Sequence, residues 1–131
     1  MAHKVYNKPV LDKLGVSKES VVSVLGVDDS EFWKVLKERN PGAAQGRLRK
    51  ATDLIFFGVN TKDGLRTLKR LKEYLKPNGA IWVVSKKGKE ATLKEIDVIS
   101  AAKSAGLVDN KVVSFSETHT SLRLVIPKDK R

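Results

Sequence analysis

The chain has 131 residues, 40% hydrophobic and 31% charged, with 26 lysines and arginines against 15 acids and a formal net charge of +11. That suffices for one domain with a sizeable core, and the lack of cysteine excludes disulfides, thiol nucleophiles and cysteine-based zinc sites. No apolar run approaches the roughly 18 residues of a membrane span, and MAHKVYNKPV has no apolar signal-peptide core, so a cytoplasmic protein with no membrane partner is expected.

Residues 1–18 read as an N-terminal arm, polar with scattered apolar anchors and a short turn of helix at Val10–Leu14. SVVSVLGV, residues 20–27, is β-branched and apolar without helical period, which predicts a buried strand. Asp29 or Ser30 then caps a helix whose inner face carries Phe32, Leu36 and Trp33 or Val35. Asn40-Pro41-Gly42 ends it, because proline forbids continuation and glycine permits the turn. Residues 43–51 fit either a short strand or a loop.

DLIFFGV, residues 53–59, predicts a second buried strand, and residues 61–75 an amphipathic helix. Leu65, Leu68, Leu71 and Leu75 form its inner stripe, with Asn60 or Thr61 as N-cap. Lys76-Pro77-Asn78-Gly79 has the composition of a turn. AIWVVS, residues 80–85, is a third strand. A basic loop leads to a helix over 92–106 with Leu93, Ile96, Ile99 and Ala102 or Lys103 at helical spacing. Two strands near 111–116 and 122–126 close the chain, ahead of a basic tail, 127–131, expected to fray.

Alternating strands and helices imply a mostly parallel sheet between two helical layers. The closing strand pair has a short connection and must be antiparallel. The expectation is one α/β domain, a Rossmann-like three-layer sandwich ending in a β-hairpin. Counting the five clear strands, the order is 1-2-3-5-4, with the first strand a possible edge open to dimer contacts.

This plan, with LKPNG at 75–79 before an apolar strand, resembles a truncated class I methyltransferase fold. Enzymes of that class carry a glycine-rich turn after the first strand for S-adenosylmethionine and tend to use an acid after the second strand for the ribose hydroxyls. Here the first turn is LGVDDSEF, with Gly26 alone, so no cofactor is expected. The runs KLGV, VSVLGV, DLIFFGV, LKPNGAIWVVSKKG and GLVDNKVVSFSETHTSLRLVIP are similar to a family of small bacterial domains of unknown function, the domain of unknown function 3052 type, over nearly the whole length. Members of that family read proline-lysine after the third strand, where this chain has Ser85-Lys86. Near the end they carry a D-E-T-W-S-G-L-R-like segment, of which Glu117, Thr118 and Arg123 remain. His119, Thr120 and Ser121 replace the tryptophan, serine and glycine, and the resemblance implies the fold without an activity.

The +11 surplus attracts anions. SKKGKEAT, residues 85–92, lies at a strand's carboxyl end and feeds a helix, where free N–H groups favour phosphate or carboxylate. Lys86, Lys87, Gly88, Lys89 and Thr92 are therefore the leading ligand residues, weighed against a solvated lysine loop. Glu117, His119 and Arg123 are secondary candidates. A serine–His119–Glu117 hydrolase would need a nucleophile elbow, which is missing. A polar turn with Glu117 and Arg123 paired across the hairpin accounts for these residues without a ligand. Asp28, Asp29 and Glu31 read as helix capping rather than a metal site. Lys62, Arg66, Lys69 and Arg70 make one exposed basic helix face, and RLRK at 47–50 adds charge, suited to phosphate backbones. Trp82, Phe56 and Phe57 lie in apolar strands and read as core. The favoured function is a non-catalytic domain binding a small anion or an acidic partner at the strand ends. A nucleic-acid-associated protein and an enzyme on a methyltransferase-like scaffold are the alternatives.

Overall fold

A computed structural model describes residues 8–131. A six-stranded sheet has the order β2-β1-β3-β4-β6-β5. Its strands are β1 (Val22–Leu25), β2 (Ala44–Gln45), β3 (Thr52–Gly58), β4 (Leu75–Lys86), β5 (Val108–Ser114) and β6 (His119–Val125). β2, β1, β3 and β4 run parallel, while β6 is antiparallel to both β4 and β5. Without the two-residue β2, the order is the expected 1-2-3-5-4. β2 caps the outer side of β1, so β1 is not the sheet edge.

The central strands are apolar on both faces, as helices on both sides require. Leu54 and Phe56 of β3, and Ala80, Trp82 and Val84 of β4, join one core with Phe32 and Leu36 of α2 (Ser30–Arg39) and Leu11 of α1 (Lys8–Lys13). Ile55 and Phe57, with Ile81 and Val83, join the opposite core with Leu68 and Leu71 of α3 (Leu68–Lys72) and Val98 and Ala102 of α4 (Glu95–Ser104). The three-layer reading follows directly from this alternation.

The segment read as an arm packs against the sheet from Leu11 onward. Leu11, Leu14 and Val16 are buried, and the Trp82 indole N–H donates to the Leu14 carbonyl at 3.0 Å. The part of the arm before residue 8, including His3, lies outside the described residues. The buried Asn40 ends α2 and donates its amide to the Ser17 and Ser20 carbonyls at 2.9 and 2.6 Å. Its side chain thus fixes the chain between the first helix and β1.

Two helices are shorter than the periodicity predicts. The helix expected over 61–75 is a 3-10 turn, Gly64–Thr67, running into α3, which stops at Lys72. Leu75 and the supposed Lys76–Gly79 turn belong to β4, where they form a bulge: Thr52 faces Leu75, yet Leu54 faces Ala80. A proline lies within this bulged stretch, where ladder pairing is already interrupted. The helix expected over 92–106 begins only at Glu95, and Ile96 of its supposed inner stripe is 64% exposed, with Val98 inside instead. The basic tail expected to fray closes as a 3-10 turn over Lys128–Lys130, and the Arg131 Nε donates to the Ile126 carbonyl.

Candidate functional site

The carboxyl ends of β1, β3 and β4 converge with the β5–β6 hairpin tip at one end of the sheet. The cleft there is lined by residues that include Gly26, Asp28, Asp29, Gly58, Asn60 and His119. Its volume is about 40 Å³, room for ordered water but far below the about 300 Å³ at which ligand pockets begin. The closure comes from two glycines. Gly26 has φ +71°, and a Cβ built there would lie 2.6 Å from the Gly58 carbonyl oxygen. A Cβ on Gly58 would lie 2.2 Å from the Gly26 carbonyl oxygen. Two main chains therefore meet where a side chain on either would force them apart.

Asp29 starts α2, its carboxylate accepting the Phe32 N–H at 3.0 Å. Asn60 joins the loops that follow β3 and β4. Its side-chain oxygen accepts the Lys86 N–H at 2.9 Å, and its carbonyl accepts the Thr92 hydroxyl. The Lys87 N–H donates to the Thr118 carbonyl at 3.0 Å, and its ammonium to the Ser114 hydroxyl at 2.8 Å. Lys86, Gly88, Lys89 and Thr92 are exposed and Lys87 is half-buried. Gly88, at φ +73°, opens a 3-10 turn over Gly88–Glu90. The fold thus gathers the five leading residues into one rim beside the cleft.

The helix start expected to help them does not lie in that rim. α4 begins three residues beyond Thr92, and its first turn carries Glu95 and Asp97. Asp97 accepts the Lys94 N–H at 2.9 Å, so an acid already occupies the favourable position.

The secondary candidates separate. His119 stands opposite Lys86 at the top of β6, its Nδ1 2.8 Å from the Thr118 hydroxyl. β6 lies between β4 and β5, and the tip joins it to β5, the edge strand of the sheet. Glu117 is exposed at the tip, while Arg123 pairs with Trp82 four positions below His119, about 13 Å away at the rise of a strand. The expected Glu117–Arg123 pair does not form. Lys62, Arg66, Lys69 and Arg70 are all exposed, and the first three line a groove of about 440 Å³ against Ala101, Ser104 and Ala105 of the α4 segment. Lys62 lies 3.7 Å from Asp97, and Arg66 lies 3.6 Å from Asp63.

Burial is the largest influence on His119 and pushes its pKa below the ordinary 6.5; Asp29 opposes that shift, and Lys86 and Lys87 reinforce it. The folded state therefore binds fewer protons than the unfolded state just below that value. This contribution to stability is present above pH 6.5 and is lost as pH falls from 6.5 through the lowered folded pKa. In His119→Gln, the drop in melting temperature across that window should be smaller than in the wild type; an equal drop would assign the acid sensitivity elsewhere.

The residues missed in the sequence are Gly58, Asn60 and Asp29 as parts of the cleft. A glycine at the end of an apolar strand was the one available signal for Gly58. The role of Asn60 depends on two loops meeting and has no local signature.

The sequence matches none of the curated proteins. In fold, the chain is similar to the crystal structure of a SAM-dependent methyltransferase from Aquifex aeolicus, with a TM-score of 0.72 at 13% identity, covering 94% of this chain and 92% of that one. A TehB-like SAM-dependent methyltransferase from Corynebacterium glutamicum aligns with a TM-score of 0.58 at 12% identity, over 90% and 85% of the two chains. The mitomycin 7-O-methyltransferase MmcR aligns at 0.66 and 11% identity, over 83% of this chain and 50% of its own, so this chain spans about half its length. The fold is thus the Rossmann-like fold of these methyltransferases, and no helix among the described residues is long and apolar enough to cross a membrane. By sequence, residues 11–128 match one family model, and the chain belongs to that family, the proteins of unknown function designated DUF3052.

Proposed function

We propose that this chain is a catalytically silent member of the methyltransferase-like fold that binds a small anion, or an acidic group of a partner, on the rim Lys86–Thr92. The observation that carries the reading is the Gly26–Gly58 contact. It fills the space beside the first turn with backbone and leaves a cleft of about 40 Å³. The strand beside β1 also ends Gln45-Gly46-Arg47, without an acid for ribose hydroxyls. The rim offers three lysines and the left-handed Gly88, which lets a ligand approach the main chain.

The test is isothermal titration with S-adenosylmethionine and with pyrophosphate at constant ionic strength. Pyrophosphate should bind, and Lys86→Ala/Lys87→Ala should abolish that binding. S-adenosylmethionine should give no heat. Saturable S-adenosylmethionine binding would show that the cleft opens and would reinstate an enzyme.

A second reading rests on the groove of about 440 Å³ beside Lys62, Arg66 and Lys69, which suits an acidic macromolecule such as nucleic acid. Titration with a short duplex should then lose affinity steeply with added salt. Pyrophosphate binding without duplex binding favours the rim.

A further inference from the structure

Arg123 occupies an unusual position for a cation. It lies in β6, the strand between β4 and β5, and pairs with Trp82 on one side and Lys111 on the other. Cross-strand partners share a face, so its side chain leaves the sheet beside the buried Trp82 on the α1 side. It is half-buried, and among the described residues no hydrogen bond or ion pair engages its guanidinium. A desolvated cation without a partner is costly.

Its surroundings are open and carry a small excess of positive charge. Two hollows, of about 360 and 250 Å³, share Gly15 and Arg123 in their walls. Lys76 lines the first, and Lys13 and Lys111 line the second. The Lys111 ammonium spends one donor on the Lys13 carbonyl at 3.1 Å and has two more to offer. Three acids also line these hollows. Asp12 is 2.7 Å from Arg39, and Asp53 is held by Lys76 at 3.1 Å and by the Val21 N–H at 2.7 Å. Glu19 is exposed at the margin. Burial lowers the Arg123 pKa, and Arg131 lowers it further, so no carboxylate dominates its field.

We propose that the trough formed by these two hollows is a second binding site, for a small oxyanion of the phosphate or carboxylate class, with Arg123 as its central ligand and Lys111 and Lys76 on its flanks. A guanidinium presents a planar fork that matches either oxyanion through two parallel hydrogen bonds. The site lies toward the opposite end of the sheet from the Lys86–Thr92 rim and does not depend on that rim binding anything.

The experiment is thermal unfolding with inorganic phosphate and, separately, citrate, each against chloride of matched ionic strength. Wild type, Arg123→Met, Arg123→Lys and Lys86→Ala/Lys87→Ala are compared. A ligand bound only by the folded state raises the melting temperature. The expected result is a rise in the wild type and in the Lys86→Ala/Lys87→Ala variant, a smaller rise in Arg123→Lys, and none in Arg123→Met. The larger of the phosphate and citrate responses identifies the ligand chemistry. Equal rises in wild type and Arg123→Met would overturn the proposal, as would no rise in the wild type. Should Arg123→Met not fold, NMR titration of the wild type with the same anions decides. Saturable shifts at the Gly15 and Arg123 amides support the site, and shifts absent there overturn it.

Discussion

Gly58→Ala is expected to destabilise the protein by about 3 kcal/mol or more, at the upper end of what overpacking costs. The added Cβ would lie 2.2 Å from the Gly26 carbonyl oxygen, 2.6 Å from its carbonyl carbon and 3.0 Å from the Val27 nitrogen. All three are backbone atoms, so no side-chain rotation relieves the clash. Separating β1 from β3 would disturb four paired positions, Val22–Leu25 against Leu54–Phe57, in the middle of the sheet. For a chain of this length the loss corresponds to a fall in melting temperature of roughly 10 °C or more. Gly26→Ala should also be damaging, because it adds a φ of +71° to a 2.6 Å clash. Chemical denaturation of both variants checks this. A Gly58→Ala protein within about 0.5 kcal/mol of wild type, the range of an ordinary surface change, would show that the two strand ends are not in contact in solution. The argument for a closed cleft would fall with it.

Trp82→Ala should cost about as much or more, because two losses combine. Trp82 is fully buried in the central strand β4, and removing so large a side chain typically costs about 3–5 kcal/mol. Its indole N–H also ties the Leu14 carbonyl to the sheet at 3.0 Å, and a buried carbonyl deprived of its donor costs about 1–3 kcal/mol. Trp82→Phe separates the two contributions, since it retains an aromatic ring and removes the donor. It should be intermediate, with hydrogen exchange accelerated around Leu11–Val16 before the rest of the sheet. The other tryptophan, Trp33, is only half-buried, so blue-shifted fluorescence should be lost with Trp82. Unchanged exchange around Leu14 in Trp82→Phe would mean that packing alone anchors the first helix.

The resemblance to methyltransferases is a resemblance of frame. At one end of the sheet Gly26 and Gly58 bring two main chains into contact, and Asn60 binds the neighbouring loops to each other. This end of the sheet carries lysines on a rim, with His119 held toward its neutral form beside them. The fold alone carries no activity.

What the sequence determined by itself was the layer plan and the strand order. LIFF at 54–57 and AIWVV at 80–84 are apolar at every position, which only a strand covered on both faces tolerates, and the short final connection forces an antiparallel pair. Asp29 as a cap and the exposed basic face at Lys62, Arg66, Lys69 and Arg70 were equally legible, because capping and amphipathicity are local. The tertiary structure decided the rest. Leucine spacing could not show that the helix before β4 ends at Lys72, since Leu75 serves a strand as well as a helix. Nothing local distinguishes Ile96 from Val98; the face that the sheet covers does. Glu117 and Arg123 are six residues apart in sequence and lie at different levels of the sheet. The meeting of Gly26 with Gly58 joins residues 32 positions apart, and only the pairing of β1 with β3 brings them together. Periodicity reports which side of an element is buried, whereas a site is made where separate elements end, and that depends on how they pack.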